Sequence, residues 1–321
     1  MGSIPVAPAT QDYLFFMIWL PIIGNYTEID AYASAIAYAE LLNQRGKPAK
    51  VYLKHTPNYS VPDVLRIKAA EQYTFDFQLD DQAIILDISI PEVIHQAVTD
   101  GQILELIDHH PGNEQYWQQT LGKRAIIEPI GAVATSIFEW WGKCWDYAKM
   151  SPEIAKLLLA AVLDNTLDFN ANITTDRDHA AADKLAEIAN TTVKDFAEWY
   201  FSTVSQTVLT NLEASLLSDI KIMALPSDAS EFAFGQLTSW DSKAVLAKTA
   251  EVQAIMGKAH QNWLLSVLSL SDKRNYILTN SNALAKYFTK LLDLHTHGDV
   301  YTTDRLLLRK EILKRMLQDG K

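Results

Sequence analysis

The sequence predicts an α/β protein: a mostly parallel sheet with helices on its faces, followed by a smaller α+β unit. Two observations predict this. In the first half, short apolar runs alternate with stretches of helical period. Beyond about residue 218 the character changes to a new series of strands and helices, of ordinary domain size.

Taken in order, residues 14–20 read as a strand, within the apolar run YLFFMIWLPII at 13–23. Residues 30–45 read as a helix, with Ala31, Ala35, Ile36, Ala39 and Leu42 along one stripe and Gly46 as its stop. Strands follow at 50–53, 83–86 and 103–107, the last two each ending at an aspartate. Helices are expected at 132–145, 151–163 and 176–190, the last opened by Thr175, Asp176 and Asp178. The stretch 191–218 keeps a helical pattern. Strands at 220–225, 232–237, 263–270 and 275–278, with helices at 242–258 and 282–292, complete the second unit. The expected boundaries are 1–190 for the first domain, 191–210 for a helical linker and 211–321 for the second domain.

Composition narrows the class. The chain has 321 residues, 48% of them apolar, enough for a substantial core and for two domains. Its formal net charge of -11 repels phosphate backbones, so long nucleic acid is a weaker partner than a small anion held through metal ions. The single cysteine, Cys144, has no internal disulfide partner, which fits a reducing cytoplasm. The apolar run at 13–23 is shorter than the ~20 residues a membrane span needs, and a buried strand explains it better.

The sharpest local signal is Asp108-His109-His110 after a predicted strand, followed by Pro111-Gly112. Imidazole and carboxylate together suit Mn or Mg sharing a site with water and phosphate oxygens. On an extended chain two adjacent histidines point different ways, one to a metal and one to a substrate. Alone, the tripeptide reads equally well as a capping aspartate with two surface histidines. It is accompanied, however, by Asp87 at the end of a strand, by Asp30 opening a helix with Glu28 two residues before it, and by Asp164 in AAVLDNTLDF. In parallel sheets ligands gather beyond the carboxyl ends of the strands, where Asp87 and Asp108 stand. Asp168 is an additional carboxylate nearby in sequence, while Asp178 reads as a helix-start residue. Trp140, Trp141 and Trp145 read as core or interface packing. His295-Thr-His297 reads as a surface loop with some metal-binding capacity.

In this order the motifs resemble those of the DHH phosphoesterase superfamily, and within it the branch of manganese-dependent (family II) inorganic pyrophosphatases and exopolyphosphatases. EPIGAVATSIFE (128–139) resembles the stretch after the DHH motif, and AVLDNTLDF with ITTDRDHAAADKLAEIA resembles the fourth motif and the helix beyond. SDIKIM (218–223) places Lys221, and LLRKEILKRML places Arg309 and Lys310, where that branch has cations gripping the substrate. The chain lacks the glycine-rich, histidine-containing C-terminal motif of DHH nucleases and cyclic-dinucleotide phosphodiesterases.

The resemblance implies a DHH metal-binding catalytic domain, a substrate-binding C-terminal domain, two or more divalent cations (Mn or Mg), a small phosphorylated substrate and a homodimer through the first sheet's edge. It implies that Asp87 bridges the metals, Asp30 and His109 ligate one and Glu28 the other. Asp108 orients a ligand, and His110, Lys221, Arg309 and Lys310 hold phosphate oxygens, with Asp108 and His110 the catalytic pair. Two departures stand out. The first motif, Gly24-Asn25-Tyr26-Thr27-Glu28-Ile29-Asp30, has no histidine; Asn25 is the nearest candidate ligand, and an oxygen donor there tilts preference from Mn towards Mg. In the fourth motif either Asp164 or Asn165 takes the ligand position. Three functional readings follow: a phosphoanhydride hydrolase, a DHH phosphodiesterase acting on nucleotides or short oligonucleotides, and a weakly active or inactive phosphate-binding protein on the same fold.

Overall fold

The computed structural model describes residues 16–319, apart from 227, 228 and 299. Leu14 and Phe15, the expected start of the first strand, lie outside the described residues. The first sheet holds six parallel strands: β1 (Ile18–Ile22), β2 (Ala49–Leu53), β3 (Glu71–Gln72), β4 (Gln82–Leu86), β5 (Ile103–Asp108) and β6 (Ala125–Ile127). Their order is β3-β2-β1-β4-β5-β6. Chain progression therefore reverses between β1 and β4, and that reversal opens a crevice beyond the carboxyl ends of both strands.

A proline widens the crevice. The Met17 carbonyl accepts from Gln82, so by strand alternation Trp19 and Pro21 also face β4. Trp19 pairs with Ala83, but Pro21 has no amide, and the β1–β4 register runs only through Ile18 and Trp19. The β1–β2 register continues to Ile22.

Helices α1 (Ile29–Gln44), α2 (Pro91–Ile94), α3 (Glu114–Leu121), α4 (Val133–Cys144), α5 (Pro152–Thr166) and α6 (Asp176–Ile188) cover the sheet. Alanines along α1 allow close packing against α4 and α5, and most of this helix is buried. Trp141 is fully buried in the core, whereas Trp145 is exposed and donates its indole N–H to Gln44 at 3.1 Å.

The expected helical stretch 191–218 is two helices, α7 (Val193–Thr210) and α8 (Leu212–Ser218), because Asn211 leaves the helical region at φ -128°, ψ 56°. Helix α7 is more than a connector. It buries Phe196, Tyr200, Phe201 and Val204, and packs against α5 and α6 on one side and the second sheet on the other.

That sheet comprises β7 (Ile220–Ala224), β8 (Glu231–Ser239), β9 (Trp263–Ser269), β10 (Arg274–Thr279), β11 (His295–His297) and β12 (Val300–Thr302), in the order β11-β12-β10-β9-β8-β7. Only β8 and β9 run parallel. Its helices are α9 (Lys243–Leu246), α10 (Thr249–Ala259), α11 (Asn282–Leu292) and α12 (Arg309–Asp319). The single helix expected over 242–258 is thus split into α9 and α10. His295 belongs to a short strand rather than a loop, and its ring lies 3.0 Å from the Asp304 carboxylate. Among the described residues no helix is long and apolar enough to cross a membrane.

Candidate metal and phosphate site

Asp87 stands at the end of β4 with φ +59°, a left-handed conformation that aspartate and asparagine tolerate better than most residues. Its amide still donates to Ile107 at 3.0 Å, so the strand is extended by one bond while the side chain turns into the crevice. Its Oδ1 is buried and has no hydrogen-bond partner among the described residues. A buried anionic oxygen without a partner is costly unless a cation meets it.

The neighbouring β5 supplies the histidines. His109 is buried, and its Nδ1 lies 3.0 Å from the Ile130 carbonyl, which fixes the proton on Nδ1. Nε2 is left as a lone pair, 3.5 Å from Asp87 Oδ1. A backbone carbonyl on one ring nitrogen is the usual orienting contact for a metal-ligating histidine. Burial pushes His109 down to about 3, helped by the positive charges of Lys310 and His110, so the ring is neutral. His110 points differently, at 88° to His109, with Nδ1 2.8 Å from Asp108 Oδ1. That oxygen also accepts the amides of His109 at 2.8 Å and His110 at 3.2 Å. Burial alone would raise Asp108, but the hydrogen bond and charge of His110 hold it below the usual carboxylate range. Asp87, His109 and His110 bring ligand atoms within 4.8 Å of one another.

The first motif enters from the opposite side of the crevice. Glu28 is the N-cap residue of α1, yet its carboxylate makes no cap bond. The Ser60 hydroxyl accepts the Ile29 amide at 3.0 Å instead, and donates to Asn58 Oδ1 at 2.7 Å. Relieved of capping, Glu28 lines the cavity. Burial raises it, and the negative charge of Asp219 adds to the rise. Asp30 is fully buried. Its Oδ1 accepts from Ala134 N at 2.8 Å and Ser34 Oγ at 3.3 Å, and its Oδ2 accepts from Val133 N at 2.8 Å. It therefore caps α4 across the fold. Because an ionised carboxylate offers about four lone-pair positions, Oδ2 keeps one. Burial pushes Asp30 up to about 7.

The loop before α4 holds His109, the first turn of α4 holds Asp30, and Gly131 anchors that loop. The Gly131 amide donates to Asp178 Oδ2 at 3.0 Å, and Thr135 donates to Asp178 Oδ1 at 2.7 Å. Asp178 thus anchors this loop as well as closing a capping box with Thr175. A Cβ on Gly131 would sit 2.6 Å from Asp178 Oδ2 and 2.6 Å from Thr166 Cγ2. Gly131→Ala is expected to lose about 1–3 kcal/mol of stability through overpacking, seen as a lower midpoint in urea unfolding.

For the fourth motif, Asp164 accepts from the Tyr200 hydroxyl at 3.0 Å. Burial raises it to about 7, and the charges of Glu28, Asp30 and Asp219 add to this, which sets it among the site carboxylates. The side chain of Asn165 is half-buried and makes no hydrogen bond among the described residues. After α5 the chain takes a left-handed turn with positive φ at Leu167, Asp168 and Phe169. Asn170 Nδ2 stitches the turn by donating to the Leu167 and Asp168 carbonyls, each at 2.8 Å.

The cations come from the second sheet and from α12. Lys221, on β7, lines the cavity with Asn25, Glu28, Asp87 and His110. Lys310, near the start of α12, is lowered by burial and countered by the charges of Asp87, Glu28 and Asp30, so it faces the carboxylates. Arg309 differs from the expected phosphate fork. Its NH1 donates to the Asp219 carbonyl at 2.9 Å and the Phe234 carbonyl at 3.0 Å. Its NH2 donates to the Tyr26 hydroxyl at 3.2 Å and to the Asp219 carboxylate. The guanidinium is 5% exposed and its forks are committed to protein acceptors, so it braces Tyr26 and the approach of the second sheet. Sequence reasoning missed Asp219, Ser60 and Tyr200. Asp219 had a readable signal, lying two residues before Lys221.

The model of the DHH family, N-terminal domain, matches residues 19–162. The manganese-dependent inorganic pyrophosphatase of Bacillus subtilis is 28% identical over 307 residues, covering 91% of this chain and 93% of that protein. A probable manganese-dependent inorganic pyrophosphatase of Deinococcus radiodurans is 24% identical over 304 residues, covering 91% and 95%. Among solved structures, a candidate family II inorganic pyrophosphatase of Methanococcus jannaschii superposes with TM-score 0.66 at 19% identity, over 95% of this chain and 98% of that one. An exopolyphosphatase-related protein of Bacteroides fragilis gives TM-score 0.52 at 12% identity, over 95% and 92%. These two structures share the fold.

Proposed function

Because this chain is a metal-dependent phosphohydrolase of the DHH superfamily, we propose that its substrate is a small phosphoanhydride, cleaved by water in the crevice beyond β1 and β4. The observation that carries the reading is the buried, unpartnered Oδ1 of Asp87 beside the lone pair of His109 Nε2, among carboxylates and across from two lysines.

In this reading Asp87, His109, Glu28 and Asp164 hold divalent cations, with Asp30 contributing its remaining lone pair and Asn25 at the rim. The donor set is mixed oxygen and imidazole, which suits Mn or Mg. A bound divalent cation supplies charge neutralisation at phosphate oxygens and lowers the pKa of water. Lys221 and Lys310 balance the phosphate charge from the opposite wall. Asp108 holds His110 through Nδ1, which orients the ring for proton exchange with the substrate at Nε2. Arg309 positions Tyr26 and the second sheet.

The test is phosphate release from pyrophosphate and tripolyphosphate with Mn, Mg or Co, beside a cyclic dinucleotide and a linear dinucleotide. Anhydride cleavage that stops on chelation and returns on adding metal is expected. Cleavage of the diesters alone would sink the reading in favour of a phosphodiesterase.

A further inference from the structure

The cavity at the crevice has a volume of about 360 Å³, and its lining mixes charged and apolar side chains. Its lining includes Glu28, Asp87, His110 and Lys221. It also includes Ile23, Ile88, Ile90, Val93 and Pro111. An inorganic phosphate chain is charged and hydrated along its whole length. Pressing it against isoleucine removes water from its oxygens and returns no hydrogen bond. An apolar wall next to a phosphate site favours only a ligand that carries apolar surface of its own.

The wall is built rather than incidental. Ile90 is 48% exposed and lines the cavity. Its loop is pinned on both sides. The buried Trp117 indole donates to the Ser89 carbonyl at 2.7 Å, and the Ile90 carbonyl accepts the amides of Val93 and Ile94, each at 3.1 Å. Pro91 fixes the first residue of α2. Behind the loop lies the cluster of Ile94, Val98 and Trp117. The ledge is therefore preformed, with Ser89 and Asn113 as neutral hydrogen-bonding groups at its edge.

We propose that this ledge receives the organic part of the substrate, and that the preferred substrate class is a nucleoside polyphosphate, whose base supplies a flat apolar face. This rests on the hydrolase reading above and narrows it. In the reaction, water adds its oxygen to the terminal phosphorus. The bridging P–O bond breaks with its electron pair on the departing nucleoside phosphate, and the protons of water end on the two products.

The experiment compares kcat/KM for ADP and for tripolyphosphate with Mn, in the wild type and in Ile90→Ser and Ile90→Phe. Ile90 is half exposed, so both variants keep the packing behind the loop. The wild type is expected to favour ADP. Ile90→Ser should lower the ADP-to-tripolyphosphate ratio about tenfold, the usual scale for one apolar contact in a pocket, mainly through KM. Ile90→Phe should hold or raise the ratio. A wild type that favours tripolyphosphate, or a ratio that Ile90→Ser leaves in place, overturns the proposal while the hydrolase reading stands. Absence of metal-dependent release from either anhydride overturns both.

Discussion

Asp87→Asn is expected to lose turnover by on the order of a thousandfold or more, while the metal-free protein becomes more resistant to urea. The two effects share one cause. Asp87 is buried among Asp30, Glu28 and Asp108, and burial and then their negative charges hold its carboxyl well above the usual carboxylate range. Without a cation, its ionised form opposes folding at neutral pH; a neutral amide of the same shape relieves that repulsion. In the proposed site the same carboxylate is the group that would meet a cation. Metal ions contribute several kcal/mol at a phosphoryl oxygen, and each 1.36 kcal/mol is about tenfold in rate. Asparagine is the informative substitution because it tolerates the φ of +59° that Asp87 adopts, where alanine would add strain. Calorimetric titration with Mn should show weakened binding, and the stabilisation that Mn confers on the wild type should vanish. Full activity in a folded Asp87→Asn protein would remove Asp87 from the metal site.

Asp219→Ala is expected to destabilise the fold by about 3–5 kcal/mol, the usual consequence of leaving a buried cation without its counter-ion. Asp219 is 6% exposed and its carboxylate meets the 5%-exposed guanidinium of Arg309. The Asp219 and Phe234 carbonyls remain as acceptors but carry no full charge. Replacing both partners, as in Asp219→Ala with Arg309→Met, should recover most of the lost stability, because no uncompensated charge is left. Urea midpoints of the two single variants and the double variant give the coupling directly. If the single variants unfold at the wild-type midpoint, Arg309 is not the brace described above. In the double variant KM should rise and kcat change less, because Tyr26 loses its guanidinium contact while Asp87, His109 and His110 keep theirs.

Both residues show what the sequence can and cannot disclose. Asp87 was legible because its environment is local: an apolar strand, then a carboxylate at the carboxyl end of a parallel sheet. His109 was legible in the same way. The partners of Arg309 were not. A basic pair opening a helix reads as a phosphate grip when the buried acceptor lies 90 positions away. Ser60 is hidden similarly, because it caps α1 from 31 positions downstream and frees Glu28. Apolar periodicity exposed the long elements, but β3, β6, β11 and β12 have two or three residues each, too few to show a period. Asp178 was read as a helix start. Its second bond, to Gly131, joins residues 47 positions apart and leaves no local trace.

The crevice is closed by bonds between distant parts of the chain. Arg309 reaches Tyr26 across 283 positions, Tyr59 reaches the Gln236 carbonyl across 177, and Asn172 reaches Glu311 across 139. Contacts of such separation form slowly, since closure entropy must be met before they contribute. The parallel sheet with its carboxylates can mature while α12 is still unplaced. During that interval the acidic pocket exists without Lys310 opposite it. In the proposed site, the carboxylates would then be open to a cation before the lysine that faces them is in place, which would give assembly a direction in time.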